Sequence, residues 1–169
     1  MNIFVLHTKP RIAARMMCDK HIPKMIVESC QMLASALRAN GAEDDDMPLT
    51  IGGTPYKNAH PKHPATIWAG MTMRNYSWLC THADELTKEF SKRYGKTHGC
   101  EPALRHLIAQ GRHFIPGGTL TPFALCMPDE LKTDAPVQSY RSFYYADKKE
   151  FARWERGSPA PKWWPNKEE

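Results

Sequence analysis

The sequence contains no GxxxxGK[ST], no GxGxxG, no GxSxG and no HExxH. These absences remove the usual phosphate-loop, dinucleotide, serine-hydrolase and zinc-protease readings. No apolar run approaches the roughly 18 residues that cross a bilayer. The apolar start, Met1-Asn2-Ile3-Phe4-Val5-Leu6, stops at His7-Thr8-Lys9, too short for a secretion signal and without its basic leader. The five cysteines are odd in number, scattered, and never paired as CxxC, which reads as a reducing, cytoplasmic compartment and no membrane. Cys18-x-x-His21, His60-x-x-His63 and His98-x-Cys100 have ligand-like spacing. None is joined by a second such element, so neither a metal nor another cofactor is expected. There is no internal repeat.

What remains is a chain of 169 residues, 41% hydrophobic and 24% charged, the balance of one globular domain with one core. Its net charge of +5 is unevenly placed. Residues 1–50 sum to zero, and residues 51–169 hold the whole excess. A basic C-terminal two-thirds is compatible with a nucleic-acid partner.

Helical periodicity dominates. Ile3–Leu6 is a short strand or a buried N-terminal segment, after which Pro10 suits a first helical position. Pro23 begins or kinks a second helix that stops at Asn40-Gly41. Residues 42–63, with an acidic run and Gly52-Gly53, read as a loop. Residues 64–95 read as a short helix leading into a long one that ends at Gly95. A further helix runs from Pro102 to Gln110 and closes at Gly111. Asp134 and Pro136 open a last one to about Arg156. The fold class is therefore mainly α, a single compact domain over 1–156 with about five helices and a short extended N-terminal segment. Residues 157–169 form a Pro/Trp-rich tail.

Two helices carry polar rows at the edge of an apolar stripe. His21, Lys24 and Glu28 fall within about 60° of each other on the second helix. Asn75, His82, Glu89 and Arg93 fall within about 40° on the long one, beside Trp78. Packing the two stripes together is expected to bring both rows to one pocket, where a His21–Glu28 pair would raise the imidazole pKa. Farther along, basic residues including Lys148, Lys149 and Arg153 interleave with aromatics including Trp163, a composition suited to phosphates and exposed bases. Lys20, Lys24, Arg93 and Lys96 extend the expected contact surface.

Three features carry a family resemblance: the short N-terminal segment leading into Lys20-His21-Ile22-Pro23-Lys24, the long helix ending in Arg93-Tyr94-Gly95, and the aromatic, basic C-terminus. Together they resemble the small all-helical bacteriophage pyrimidine-dimer DNA glycosylases of the endonuclease V type, most sharply over residues 13–25. The resemblance implies a double-stranded DNA substrate and attack on the sugar C1′ by an N-terminal α-amine, a glutamate driving glycosyl cleavage and β-elimination. An ordinary α-amine, with a pKa of about 7.7–8.0, suits such a role. Asn2 is bulky and leaves Met1 as the amine donor. The position matching the glutamate holds His21, so His21 is the expected acid/base, with Glu28 orienting it or stabilising an oxocarbenium-like centre. Two other readings stay open on the residues alone. One is a non-catalytic protein binding nucleic acid or a host protein on the same scaffold. The other is a nucleotide- or nucleoside-modifying enzyme.

Overall fold

The computed structural model describes residues 1–165. Six α-helices follow the expected order: α1 (Pro10–Arg15), α2 (His21–Ala39), α3 (Pro64–Met71), α4 (Met73–Tyr94), α5 (Glu101–Phe114) and α6 (Pro136–Lys148). Among the described residues there is no strand, only an isolated bridge between Leu49 and Pro55. No helix among the described residues is long and apolar enough to cross a membrane.

Local chemistry sets the boundaries. Pro10, Pro64 and Pro136 occupy first helical turns, where a missing N–H costs nothing. Nδ1 of His63 accepts the Ala65 N–H and Oγ1 of Thr72 accepts the Asn75 N–H, so α3 and α4 are each capped by a side chain. Gly95 ends α4 in the left-handed region at φ 67°. Two boundaries depart from expectation. Helix α5 runs through Gly111 to Phe114; a Cβ there would lie 2.5 Å from the Tyr76 ring, so this glycine permits close helix approach and does not stop the helix. Helix α6 ends at Lys148, short of Arg156.

Helix α4 is central and packs against α1, α2, α3 and α5. Surrounded on several sides, it buries the borders of its apolar stripe as well as the stripe itself: Asn75, His82, Glu89 and Arg93 are all buried. The N-terminal segment is no strand. Ile3, Phe4, Val5 and Leu6 enter the core as irregular backbone, which must still satisfy its polar groups. Asn2 does much of this. Its Oδ1 accepts the N–H groups of Ile3 and Phe4, and its Nδ2 donates to the Cys126 carbonyl at 2.8 Å. Phe4 is left-handed at φ 55°, a costly conformation for a bulky residue.

After α6 the chain folds back over the C-terminal end of α1. Trp154 Nε1 donates to the Met16 carbonyl, and the Arg153 carbonyl accepts the Asp19 N–H. Ser158 and Pro161 are buried against this surface. Of the expected tail, residues 157–165 are therefore packed on the domain, and 166–169 lie outside the described residues.

Candidate active site and nucleic-acid interface

The N-terminus seats on one carboxylate of α2. Glu28 Oε2 accepts the Asn2 backbone N–H at 3.0 Å and lies 3.9 Å from the Met1 α-amine. Its other oxygen lies 3.8 Å from Lys24 Nζ, one turn earlier on the helix. Three positively polarised groups thus converge on a side chain only 15% exposed, while Lys24 itself is 62% exposed. His63, at the head of α3, feels the fields of both the amine and Glu28; burial is the main influence lowering its pKa. Its Nδ1 accepts the Ala65 N–H, so the neutral ring carries its proton on Nε2.

His21 takes no part in that cluster. Seven residues separate it from Glu28, so the two share an azimuth but stand two turns, about 10.5 Å, apart along the axis. Its ring is 2% exposed, stacked on Phe4 at 5.1 Å and meeting Tyr144 edge-on at 5.2 Å. Among the described residues, its Nδ1 has no hydrogen-bond partner. Burial, reinforced by the Lys148 and Lys24 charges, brings its pKa down to about 3. The expected His21–Glu28 pair with a raised pKa is thereby corrected: the imidazole is neutral and boxed by aromatics.

The expected common pocket is corrected as well. His82 is fully buried on the Trp78 ring, 5.2 Å away and nearly parallel. Both ring nitrogens lack partners among the described residues, and burial alone lowers its pKa to about 3. Trp78 Nε1 donates to the Thr8 carbonyl at 2.8 Å. Asn75 clamps α4 to the loop after α5, bonding the Trp68 carbonyl and both the hydroxyl and N–H of Thr121. Arg93 is wholly enclosed. It donates to Glu89, to Asp19 Oδ1 at 3.1 Å, and to the carbonyls of Met17 and Arg15. With every donor turned inward and its side chain 0% exposed, it is a brace and not a phosphate contact.

The other expected nucleic-acid residues lie nearer the surface. Lys96 is exposed, and Lys20 Nζ lies over the Phe151 ring at 4.7 Å. Lys148 pairs with Asp147 and packs over Phe4 and Phe151. Lys149 lies 5.9 Å over Tyr145, and Arg153 donates to the carbonyls of Ala152 and Glu150. Trp163 lines a cavity of about 640 Å³ whose wall also includes Arg15, Lys92, Arg141, Lys162 and Glu89. A neighbouring concavity shares Arg141 and Trp163 with this one and continues to Tyr145 and Pro165. Those two residues in turn border a third, lined by Lys149, Arg153 and Trp164. The three adjoin through these shared residues and make one path lined by cations and aromatic rings. Arg141 and Lys162 belong to the interleaved basic and aromatic run read from the sequence, and Lys92 to a second basic cluster with Lys88, Arg93 and Lys96; Arg15 carried no signal there.

Residues 1–102 match the family model described as pyrimidine dimer DNA glycosylase. The chain belongs to this family. Comparison with curated proteins and with solved structures returns no match. The matched region covers the N-terminal segment and α1 to α4, including Glu28 and the amine it faces. Membership in the pyrimidine dimer DNA glycosylase family makes DNA the substrate class and base removal the type of reaction.

Proposed function

We propose that this protein is a DNA glycosylase with AP-lyase activity that acts on a damaged or modified base in double-stranded DNA, with the Met1 α-amine as nucleophile and Glu28 as the catalytic carboxylate. The observation that carries the reading is the amine lying 3.9 Å from a largely buried carboxylate in a chain of this family. Glu28 takes the role first expected of His21, since it is the ionisable side chain of that row facing the amine.

The chemistry follows from the geometry. The neutral amine attacks C1′, forming a C–N bond as the C1′–base bond breaks, and the base leaves with the proton that the amine gives up, relayed through Glu28. Glu28 accepts the proton lost by the amine, and its charge stabilises the cationic centre at C1′. Ring opening, with O4′ taking a proton from solvent, gives an iminium that acidifies the 2′ carbon; transfer of a 2′ proton to the Glu28 carboxylate then expels the 3′ phosphate. Lys24, exposed beside Glu28, supplies a cation for the flanking backbone phosphate. The N-terminal segment runs from Glu28 at Asn2 to the large cavity at His7. The cationic-aromatic path beyond it supports a strand-binding role.

The test is borohydride trapping on duplexes holding a pyrimidine dimer, an abasic site or no lesion. A covalent adduct mapped to Met1 by mass spectrometry, and lost in Glu28→Gln, is expected. An adduct on a lysine, or none with any duplex, would overturn the assignment.

A further inference from the structure

The side chain of Met1 is held closely while its amine is left free. A first residue is ordinarily loose in solvent unless something ties it down. Here the side chain is only 3% exposed and packs against the core. Its sulfur accepts the Thr66 hydroxyl at 3.7 Å. Thr66 lies in the first turn of α3 and is buried, and α3 packs against α2, the helix that carries Glu28. A helical threonine hydroxyl commonly turns back to a carbonyl one turn earlier. Among the described residues this one bonds Met1 instead. A thioether is a weak acceptor, so the bond steers the side chain while its apolar surroundings supply most of the hold.

The other side of the Met1 Cα is fixed as well. The Asn2 N–H donates to Glu28 Oε2 at 3.0 Å, and the Asn2 side chain is tied to the Cys126 carbonyl. With two substituents of a tetrahedral carbon held, the direction of the third, the amine, is set. The amine itself makes no hydrogen bond among the described residues, and the Glu28 carboxylate stands 3.9 Å away. It is oriented through its neighbours and keeps its own lone pair uncommitted. A chain beginning at Asn2 would instead put its amine where the backbone N–H now bonds Glu28, and would leave the seat beside Thr66 empty.

We propose that Thr66 is a positioning residue for the reaction, holding the Met1 side chain so that the α-amine is aimed at C1′ beside Glu28. This rests on the amine being the nucleophile, as proposed above, and adds a requirement: the first residue must fill the seat as well as supply an amine. Such preorganisation acts on the reacting complex and not on affinity for DNA, because the side chains of Thr66 and Met1 are both buried.

The experiment is single-turnover borohydride trapping on a duplex holding an abasic site, with the DNA concentration varied. Thr66→Val keeps the volume and loses the hydroxyl. It is expected to slow trapping at saturating DNA about tenfold or more, with the half-saturating concentration and the urea midpoint nearly unchanged. Thr66→Ser returns the hydroxyl and should recover most of the rate. A Met1→Ala chain, released with alanine first by cleavage of an N-terminal fusion, keeps a primary amine yet should lose about 100-fold or more. So should a chain that begins at Asn2. If the wild type traps at Met1 while Thr66→Val or Met1→Ala reacts at the wild-type rate, the seat proposal alone is overturned. A Thr66→Val chain that raises the half-saturating concentration and leaves the saturated rate intact also overturns it. A wild type with its adduct on another residue, or with none, overturns the amine assignment and the seat with it. Met1→Ala leaves Thr66 intact, so the question is still decided if Thr66→Val fails to fold.

Discussion

Two carboxylates on the edges of helical stripes, Glu28 and Glu89, have opposite fates. Glu89 accepts from Arg93 and Ser158 inside a network that also binds Asp19. Its charge is met by a guanidinium that also donates to Asp19 and to the carbonyls of Met17 and Arg15. Glu28 faces an α-amine and an exposed lysine, neither within hydrogen-bonding distance of it. A satisfied buried charge is structural because moving any part leaves another unpaired. A carboxylate beside loosely held cationic groups keeps the freedom to exchange a proton. The difference separates brace from candidate catalyst more sharply than residue type or helical position does.

Substitution should split the two sites cleanly. Glu28→Gln is expected to lower adduct formation by about 10³-fold, within the range of a lost acid/base group plus its charge, while changing the urea midpoint little. Extending the N-terminus by Gly-Ser should do the same, since it converts the amine to an amide. Arg93→Met should reverse this pattern. Leaving Asp19 and Glu89 buried without their cation is expected to cost about 3 kcal/mol or more, read as a lowered urea midpoint, with the trapped adduct retained under conditions where the variant stays folded. If Arg93→Met abolished trapping without loss of stability, or Glu28→Gln unfolded the chain, the comparison would collapse.

A smaller effect is expected from His82. Its pKa of about 3 in the fold lies below the roughly 6.5 of an unfolded histidine. The unfolded chain therefore binds more protons below pH 6.5, and stability falls as pH drops from there toward 3. By pH 4.5 this one group accounts for about 2–3 kcal/mol. His82→Phe keeps the stack on Trp78 and should flatten the decline in melting temperature between pH 7 and 4.5; an unchanged decline would show that protonation of His82 is not what destabilises the fold in acid. Smallest of all, Arg141→Ala with Lys162→Ala should reduce the slope of log affinity against log salt by about 1.8 if both contact phosphate. An unaltered slope would remove the C-terminal path from the DNA interface.

The helical fold was legible because each long element has a matching period and a capping signal: Pro10, Pro64 and Pro136 at starts, Gly95 at a stop. Gly111 misled because a glycine demanded by the Tyr76 ring looks the same in sequence as one that ends a helix. The site was half legible. Glu28, Lys24 and Met1 were named, yet His21 was placed with them because azimuth is readable from residue spacing whereas separation along the axis was overlooked. The α4 row was misread for a different reason: nothing in one helix reveals how many neighbours surround it. Helix α6 was drawn too long because Phe151 and Trp154 continue its apolar pattern while serving the returning chain.

The anchoring of Asn2 has a consequence for the order of assembly. Its side chain is fixed by the carbonyl of Cys126, 124 positions later, and Phe4 packs against Phe143 and Tyr144 from α6. Residues 1–6 therefore leave the ribosome long before the parts that hold them exist. Contacts so distant in sequence form later and more slowly than the contacts within each helix. Pulse-labelled hydrogen exchange should accordingly find α2 and α4 protected first and the amide of Asn2 among the last, so that the amine meets its carboxylate only once the whole domain has closed.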